Sequence, residues 1–137
     1  MKVNDKEYPF VKFSLLEHSD DIIFQEFKND LHIDIVVAKE IVDSRIDFSG
    51  NVKKIYIIID LSNVKAVSQE AKFYLQAPAD DRKNIMAIAF VANNPVSALF
   101  ANIFVKATKD YQSKFFTNKD NALVWILESR RNIQKDE

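Results

Sequence analysis

The sequence predicts an α/β fold, a mixed sheet with central parallel strands and covering helices. Two apolar runs, 55–59 and 85–91, show no polar alternation, which is typical of parallel strands that are buried on both faces. A segment with apolar residues at helical spacing follows each run, and strands that alternate with helices indicate a sheet covered by helices. The predicted order is ββαβαβαβα in a single domain, 1–137, with flexible ends at 1–9 and 132–137.

Two strands and a helix are predicted before the first apolar run. Residues 10–17 alternate apolar and polar side chains, and residues 22–28 resume after a polar turn, so an antiparallel hairpin is expected. Residues 31–37 also alternate, which is compatible with a strand. A helix from Asp34 is preferred because Asp34 is a good N-cap and Gly50 follows as a stop. Its apolar stripe would consist of Ile35, Ala38, Val42 and Ile46.

Capping residues mark two helices after the first central strand. Ser68 stands immediately before a helix that should end ahead of Pro78, because a residue before proline is pushed out of the α region. Asn94 is expected to cap the helix that begins at Pro95. Both helix N-termini should therefore lie near the carboxyl ends of the parallel strands.

The chain is predicted to end with a short strand and a helix. Residues 114–116 form the strand, and Thr117 with Asp120 is similar to a capping box ahead of a helix from Asn121 to about Arg131. The inward residues of this helix would be Leu123, Ile126 and Leu127.

The segment IIIDLSNVKAVSQEA at 57–71 resembles the strand, D-L-S and D-S-S-G pattern of STAS domains of the SpoIIAA-like type. Asp60, Leu61, Ser62 and Val64 match this pattern. The later stretches NNPVSALFANIFVKA and FFTNKDNALVWIL resemble small bacterial proteins of STAS/Sec14 type, many of which have no assigned function. The resemblance covers roughly residues 13–128 and consists mostly of hydrophobic patterns.

The resemblance implies a STAS/SpoIIAA-like fold and a non-catalytic regulatory or protein-interaction function, like that of anti-sigma-factor antagonists. In the family, the first serine of the D-S-S-G quartet is phosphorylated. Gln69 occupies that place in this chain, and a glutamine side chain cannot accept a phosphate. We therefore expect this chain to have the STAS/SpoIIAA-like fold and a protein partner, but to lack the phosphorylatable serine.

Composition excludes several classes of function. The 19 basic and 20 acidic residues give a net charge of −1, which offers no field for nucleic acid. The absence of cysteine and the single glycine, Gly50, argue against thiolate chemistry and glycine-rich phosphate loops, so no cofactor and no enzyme are expected. His18 and His32 are expected at the surface, without a metal. No apolar run approaches the roughly 20 residues of a membrane span, and a cytoplasmic location is expected.

Polar residues are expected to gather where the central parallel strands end, the edge at which open α/β sheets bind ligands. We predict a protein-contact surface there, with a phosphate site or plain capping and turn chemistry as alternatives. An enzyme that relies on Asp60 and Ser62 is the least favoured function. The candidate residues are Asp60, Ser62, Ser68, Gln69, Glu70, Asn93 and Asn94.

The helix predicted from Pro95 is apolar nearly all round, whereas a helix on a sheet needs one apolar stripe. We expect the C-terminal helix, with Trp125, to cover the apolar side chains of this helix that do not face the sheet. The alternatives are a second copy of the chain in a homodimer, or a lipid-like ligand carried in a hydrophobic groove near Phe100 and Phe104.

Overall fold

The fold contains one large sheet and one small sheet. The structure is a computed structural model, and it describes residues 2–107 and 111–135. The strands are β1 (Lys2–Glu7), β2 (Val11–Leu16), β3 (Ile22–Phe27), β4 (Leu31–Ile33), β5 (Ile55–Asp60), β6 (Val64–Val67), β7 (Ile85–Val91) and β8 (Gln112–Phe116). The helices are α1 (Ile35–Ser49), α2 (Gln69–Gln76), α3 (Pro95–Ala107) and α4 (Lys119–Lys135), with a 3-10 turn at Asp80–Arg82.

The large sheet has the strand order β1-β2-β3-β5-β7-β8. The first three strands are antiparallel, and β3, β5, β7 and β8 run parallel. The two apolar runs are neighbours in the middle of this sheet, where Ile59 of β5 pairs with Phe90 of β7. The predicted mixed sheet with central parallel strands and covering helices is confirmed. All predicted elements occur in the predicted order, and β1, β4 and β6 are additional.

Helices cover both faces of the large sheet. Ile57 and Ile59 of β5 point to one face and join a core that includes residues of α1, α2 and α3. Tyr56 and Ile58 point to the other face and pack with Ala122 and other residues of α4. Because both faces of β5 are covered, every residue from position 55 to 59 is buried, which explains the absence of alternation in the sequence.

The N-terminal segment forms a strand that the sequence pattern did not predict. Residues 1–9 were expected to be a flexible end, whereas Lys2–Glu7 pair with β2 as the edge strand β1. Asn4 has a φ of 56° at a register shift in this pairing, the signature of a β-bulge. The strand is almost wholly exposed, so it needs no apolar alternation and gives little signal in the sequence.

The first helix begins and ends where the sequence predicts. Val37 donates its backbone N–H to the Asp34 side chain over 2.9 Å, and Gly50, at a φ of 57°, donates to the Ile46 carbonyl over 3.1 Å. The alternation of apolar and polar side chains before this helix also reflects a strand, because Leu31–Ile33 form β4. The predicted apolar stripe is shifted, however. Ile46 is exposed, and the buried face is made of Ala38, Ile41, Val42, Ser44 and Arg45.

The last two helices lie where they were predicted, but one of them has a different N-cap. Asn94 accepts from the Ser97 backbone N–H at 2.9 Å, as a cap of α3 should. The cap of α4 is Asn118, which accepts from the Asn121 N–H at 3.0 Å, and the predicted Thr117 cap is wrong. The helix extends to Lys135, beyond its predicted end, and its buried residues are Ala122, Ile126 and Ser129. Within the two described ranges, no helix is long and apolar enough to cross a membrane.

Candidate functional site

A single lysine joins two carboxylates at the carboxyl ends of β3 and β5. Glu26 and Asp60 are register partners at the ends of these parallel strands. The Lys119 ammonium, at the start of α4, lies 3.1 Å from Asp60 Oδ2 and 3.5 Å from Glu26 Oε1. Ser62 donates its backbone N–H to Asp60 Oδ1 over 2.9 Å. Both carboxylate oxygens of Asp60 are therefore engaged within the protein.

This network fixes the charge states of its members. Burial raises the pKa of Asp60, but hydrogen bonding from Ser62 and the nearby Lys119 lower it more, so the pKa lies below its ordinary value. Burial lowers the pKa of Lys119, and Asp60 and Glu26 together raise it above its ordinary value. Asp60 is consequently ionised at neutral pH, and its reduced proton affinity makes it a poor general base.

Asn94 connects the turn after β5 to the start of α3. Its side-chain N–H donates to the Ser62 carbonyl over 3.0 Å, while its side-chain oxygen accepts from the Ser97 N–H. A weaker contact of 3.4 Å links the same amide to the Asn93 side chain. Asp60, Ser62, Asn93 and Asn94 thus form one hydrogen-bonded group.

The other predicted polar residues lie at the start of α2. Ser68 donates its backbone N–H to the Ile33 carbonyl over 2.9 Å and accepts from the Ala71 N–H at 3.1 Å. The predicted Ser68 cap is therefore confirmed. Gln69 and Glu70 follow in the first turn of the helix, and both are exposed. This turn presents polar side chains to solvent, whereas Asp60, Ser62 and Asn94 are half-buried.

Sequence reasoning missed Glu26 and Lys119 as members of the site. Glu26 is the penultimate residue of β3, and only the parallel pairing of β3 with β5 places it beside Asp60. Lys119 comes from a helix on the far side of the sheet. Its neighbour Asp120 was assigned to a capping box, and nothing in the spacing indicated that the lysine would reach β5.

The predicted hydrophobic residues do not form one groove. Phe100 and Phe104 are buried on the α3 face, where the Phe104 ring stacks on Phe90 at a centroid distance of 5.8 Å. Trp125 lies on the opposite face, with its ring 5.7 Å from the Phe116 ring. The expectation that α4 and Trp125 cover α3 is wrong, because the sheet lies between them.

Exposed apolar side chains remain on α2 and α3. Phe73, Val96 and Leu99 are 64%, 47% and 60% exposed. The Lys72 side chain of α2 reaches α3, since its ammonium lies 5.8 Å from the centre of the Phe100 ring. We call these three residues, together with the polar Ser68, Gln69, Glu70 and Asn93, the α2–α3 surface.

A cavity lies between the large sheet and helices α1, α2 and α3. Its volume is 100 Å³, its wall is mostly apolar, and it is partly open to solvent. Phe104 lines it, whereas Phe100 does not belong to its wall. Four side chains with polar groups that the sequence analysis did not single out also line the cavity: Gln25, Arg45, Arg82 and Tyr111.

The histidines take no part in either region. His18 and His32 are both exposed, as predicted. Among the residues that the structure describes, no group of three or more histidine, cysteine or acidic side chains is arranged to hold a metal ion.

Comparison with known proteins places the chain in a family. The profile of DUF7793, a domain of unknown function, matches residues 16–130. The chain belongs to the DUF7793 family. No curated protein matches this DUF7793 domain.

A solved structure resembles the DUF7793 domain in fold. It is an uncharacterized protein of the DUF3478 family with a SpoIIAA-like fold, from Shewanella loihica PV-4. The TM-score is 0.62 at 15% sequence identity, over 90% of this chain and 99% of that chain. At this identity the likeness shows the fold alone, and the predicted SpoIIAA-like fold is confirmed.

Proposed function

We propose that this DUF7793 domain is a non-catalytic interaction domain whose protein partner binds the α2–α3 surface. The observation that carries the proposal is the exposure of Phe73, Val96 and Leu99 on neighbouring helices. Protein interfaces typically have an apolar centre and a polar rim, and the exposed side chains of Gln69, Glu70 and Asn93 would supply such a rim. A second copy of the chain is one candidate partner.

The chemistry at the strand ends supports binding over catalysis. A general base needs an open site and a proton affinity matched to its task. Asp60 instead has one oxygen on the Ser62 N–H and the other on Lys119, with a lowered pKa. These contacts link β5 to the turn after it and to α4, and Asn94 links the same turn to α3.

Affinity capture from cells that express the domain tests this proposal. Leu99→Asp places a charge on the α2–α3 surface, and Val124→Asp is the matched control, because Val124 is 55% exposed on α4 across the sheet. We expect Leu99→Asp to lose a protein that both the wild type and Val124→Asp retain, or to lose self-association in light scattering. Equal capture and equal mass for all three proteins would contradict the proposal.

The cavity favours a second function, the binding of a small apolar ligand. Phe104 belongs to its wall together with Ile57, Ile88 and other aliphatic side chains of the sheet. An engineered apolar cavity of about 150 Å³ encloses benzene, so in this smaller cavity of about 100 Å³ a group of benzene size would fill the space and extend into the open mouth. Native mass spectrometry of the purified protein would test this function, a co-purified small molecule being the expected result and bare protein the opposing one.

A further inference from the structure

Two buried arginines meet at one residue beside the cavity. Arg45, on α1, is 6% exposed and donates from Nη2 to the backbone carbonyl of Asp81 over 3.1 Å. The Arg82 side chain is 10% exposed, and its Nε lies 3.5 Å from Asp81 Oδ1. Arg82 Nη1 donates to the Ala77 carbonyl over 2.5 Å. Both guanidinium groups therefore lie at the same end of the cavity, around Asp81.

The positive charge of this pair exceeds the negative charge that faces it. Asp81 is the one carboxylate of the described residues that pairs with either arginine, and it contacts Arg82. Arg45 has a carbonyl as its partner and no carboxylate. Burial lowers the pKa of Arg45 and Arg82 adds to that effect, whereas Asp81, Tyr111 and Tyr74 oppose it, so the pKa lies below its ordinary value. An arginine stays protonated, so the two arginines and Asp81 together leave one positive charge without a carboxylate partner at this end of the cavity.

Unused hydrogen-bonding groups point to the same place. Arg82 Nη2 and Asp81 Oδ1 are both buried without a hydrogen-bond partner among the described residues. Gln25 is buried at the centre of the sheet and lines the cavity. Buried polar groups are normally satisfied, so the Arg82 Nη2 donor offers a site for a further acceptor, while Asp81 Oδ1 stays next to Arg82 Nε at 3.5 Å. A carboxylate accepts from guanidinium groups with two oxygens at once.

We propose that the cavity binds a small organic anion, a carboxylate with an apolar tail of about benzene size. The carboxylate takes the free donor of Arg82 and the charge of Arg45, and the tail lies against Ile57, Ile88 and Phe104. The inference rests on the second function proposed above, ligand binding in the cavity. It adds the chemical class of the ligand, which the apolar wall by itself would not specify.

Titration of the full chain with benzoate and with benzyl alcohol tests the inference. The two probes have similar size and differ in charge. Calorimetry and methyl NMR at equal ionic strength should give benzoate an affinity at least tenfold higher, with shifts at Ile57 and none at Ile126 on the other face of the sheet. Inorganic phosphate, an anion without a tail, should bind at least tenfold more weakly than benzoate.

Arg82→Gln should lower the affinity for benzoate at least tenfold and leave that for benzyl alcohol unchanged. Arg131→Gln removes a charge from an exposed position on α4 and is the matched control, with no expected effect. Equal affinity of benzoate and benzyl alcohol in the wild type would overturn the anion inference and leave ligand binding in place, whether or not the variant folds. If inorganic phosphate binds as tightly as benzoate, the inference that the ligand has an apolar tail would be contradicted. Binding of neither organic probe would overturn both the inference and the second proposed function.

Discussion

Asp60→Asn removes one charge from the network that joins β5 to α4. Asparagine keeps an oxygen for the Ser62 N–H, so the principal loss is the ion pair with Lys119 at 3.1 Å. The Lys119 side chain is 45% exposed, so solvent screening limits this pair to a modest contribution. We expect the free energy of unfolding to fall by about 1 kcal/mol at neutral pH. With an m-value of about 2 kcal/mol/M, the urea midpoint should fall by about 0.5 M.

The pH dependence of this loss identifies its cause. The pKa of Asp60 is lower in the folded protein than its ordinary value of 3.8. Its contribution to stability is therefore present above the unfolded pKa and is lost as the pH falls through the folded pKa. The wild type and Asp60→Asn should converge in stability toward about pH 2.

A matched control separates the network from surface charge in general. Asp80→Asn removes an exposed carboxylate that pairs with Lys83 at 2.9 Å, and it should leave the urea midpoint unchanged. Equal midpoints for wild type and Asp60→Asn at neutral pH would refute the reasoning. So would a difference between them that is as large in acid as at neutral pH.

Three further substitutions test the packing and the caps in the same urea assay. Tyr56→Phe should stabilise the protein by about 1 kcal/mol, because the Tyr56 hydroxyl is buried without a partner among the described residues; a loss would reveal a hydrogen bond from that hydroxyl. Ser68→Ala should cost about 1 kcal/mol through loss of the cap at Ala71, and an unchanged midpoint would count against the cap. Ile58→Ala should cost about 3 kcal/mol because it empties a buried site, while Val124→Ala on the surface should cost little; similar losses would contradict the assigned burial.

The core of the fold could be predicted because its signals are local. The apolar runs at 55–59 and 85–91 indicated covered parallel strands, and both runs form such strands. Asp34, Ser68 and Asn94 cap the helices that they were expected to cap. A cap is decided within four residues of chain, so spacing is enough to identify it.

The side of the sheet on which each helix lies could not be predicted. The apolar run of β5 has two apolar faces, so it indicates nothing about which helix covers which face. Trp125 was therefore assigned to the wrong face, and the long reach of Lys119 to Asp60 was missed. The edge strand β1 was missed for a different reason, because an exposed polar strand carries no hydrophobic period.

The cavity also could not be predicted from the sequence. Arg45 lies in a stretch of α1 where charged residues are common, and a lone arginine in a helix normally extends into solvent. Its burial depends on the carbonyl of Asp81, which is 36 residues away in the chain. A buried polar residue of this kind becomes visible only when the tertiary packing is known.

Site-specific photo-crosslinking in living cells tests the proposed interaction function most directly. A photoreactive residue placed at Leu99, on the α2–α3 surface, is compared with the same residue at Val124 on the opposite side of the sheet. We expect one discrete crosslinked protein, or a crosslinked dimer of the domain, from position 99 and none from position 124. The same products from both positions, or no product from position 99, would contradict binding through this surface.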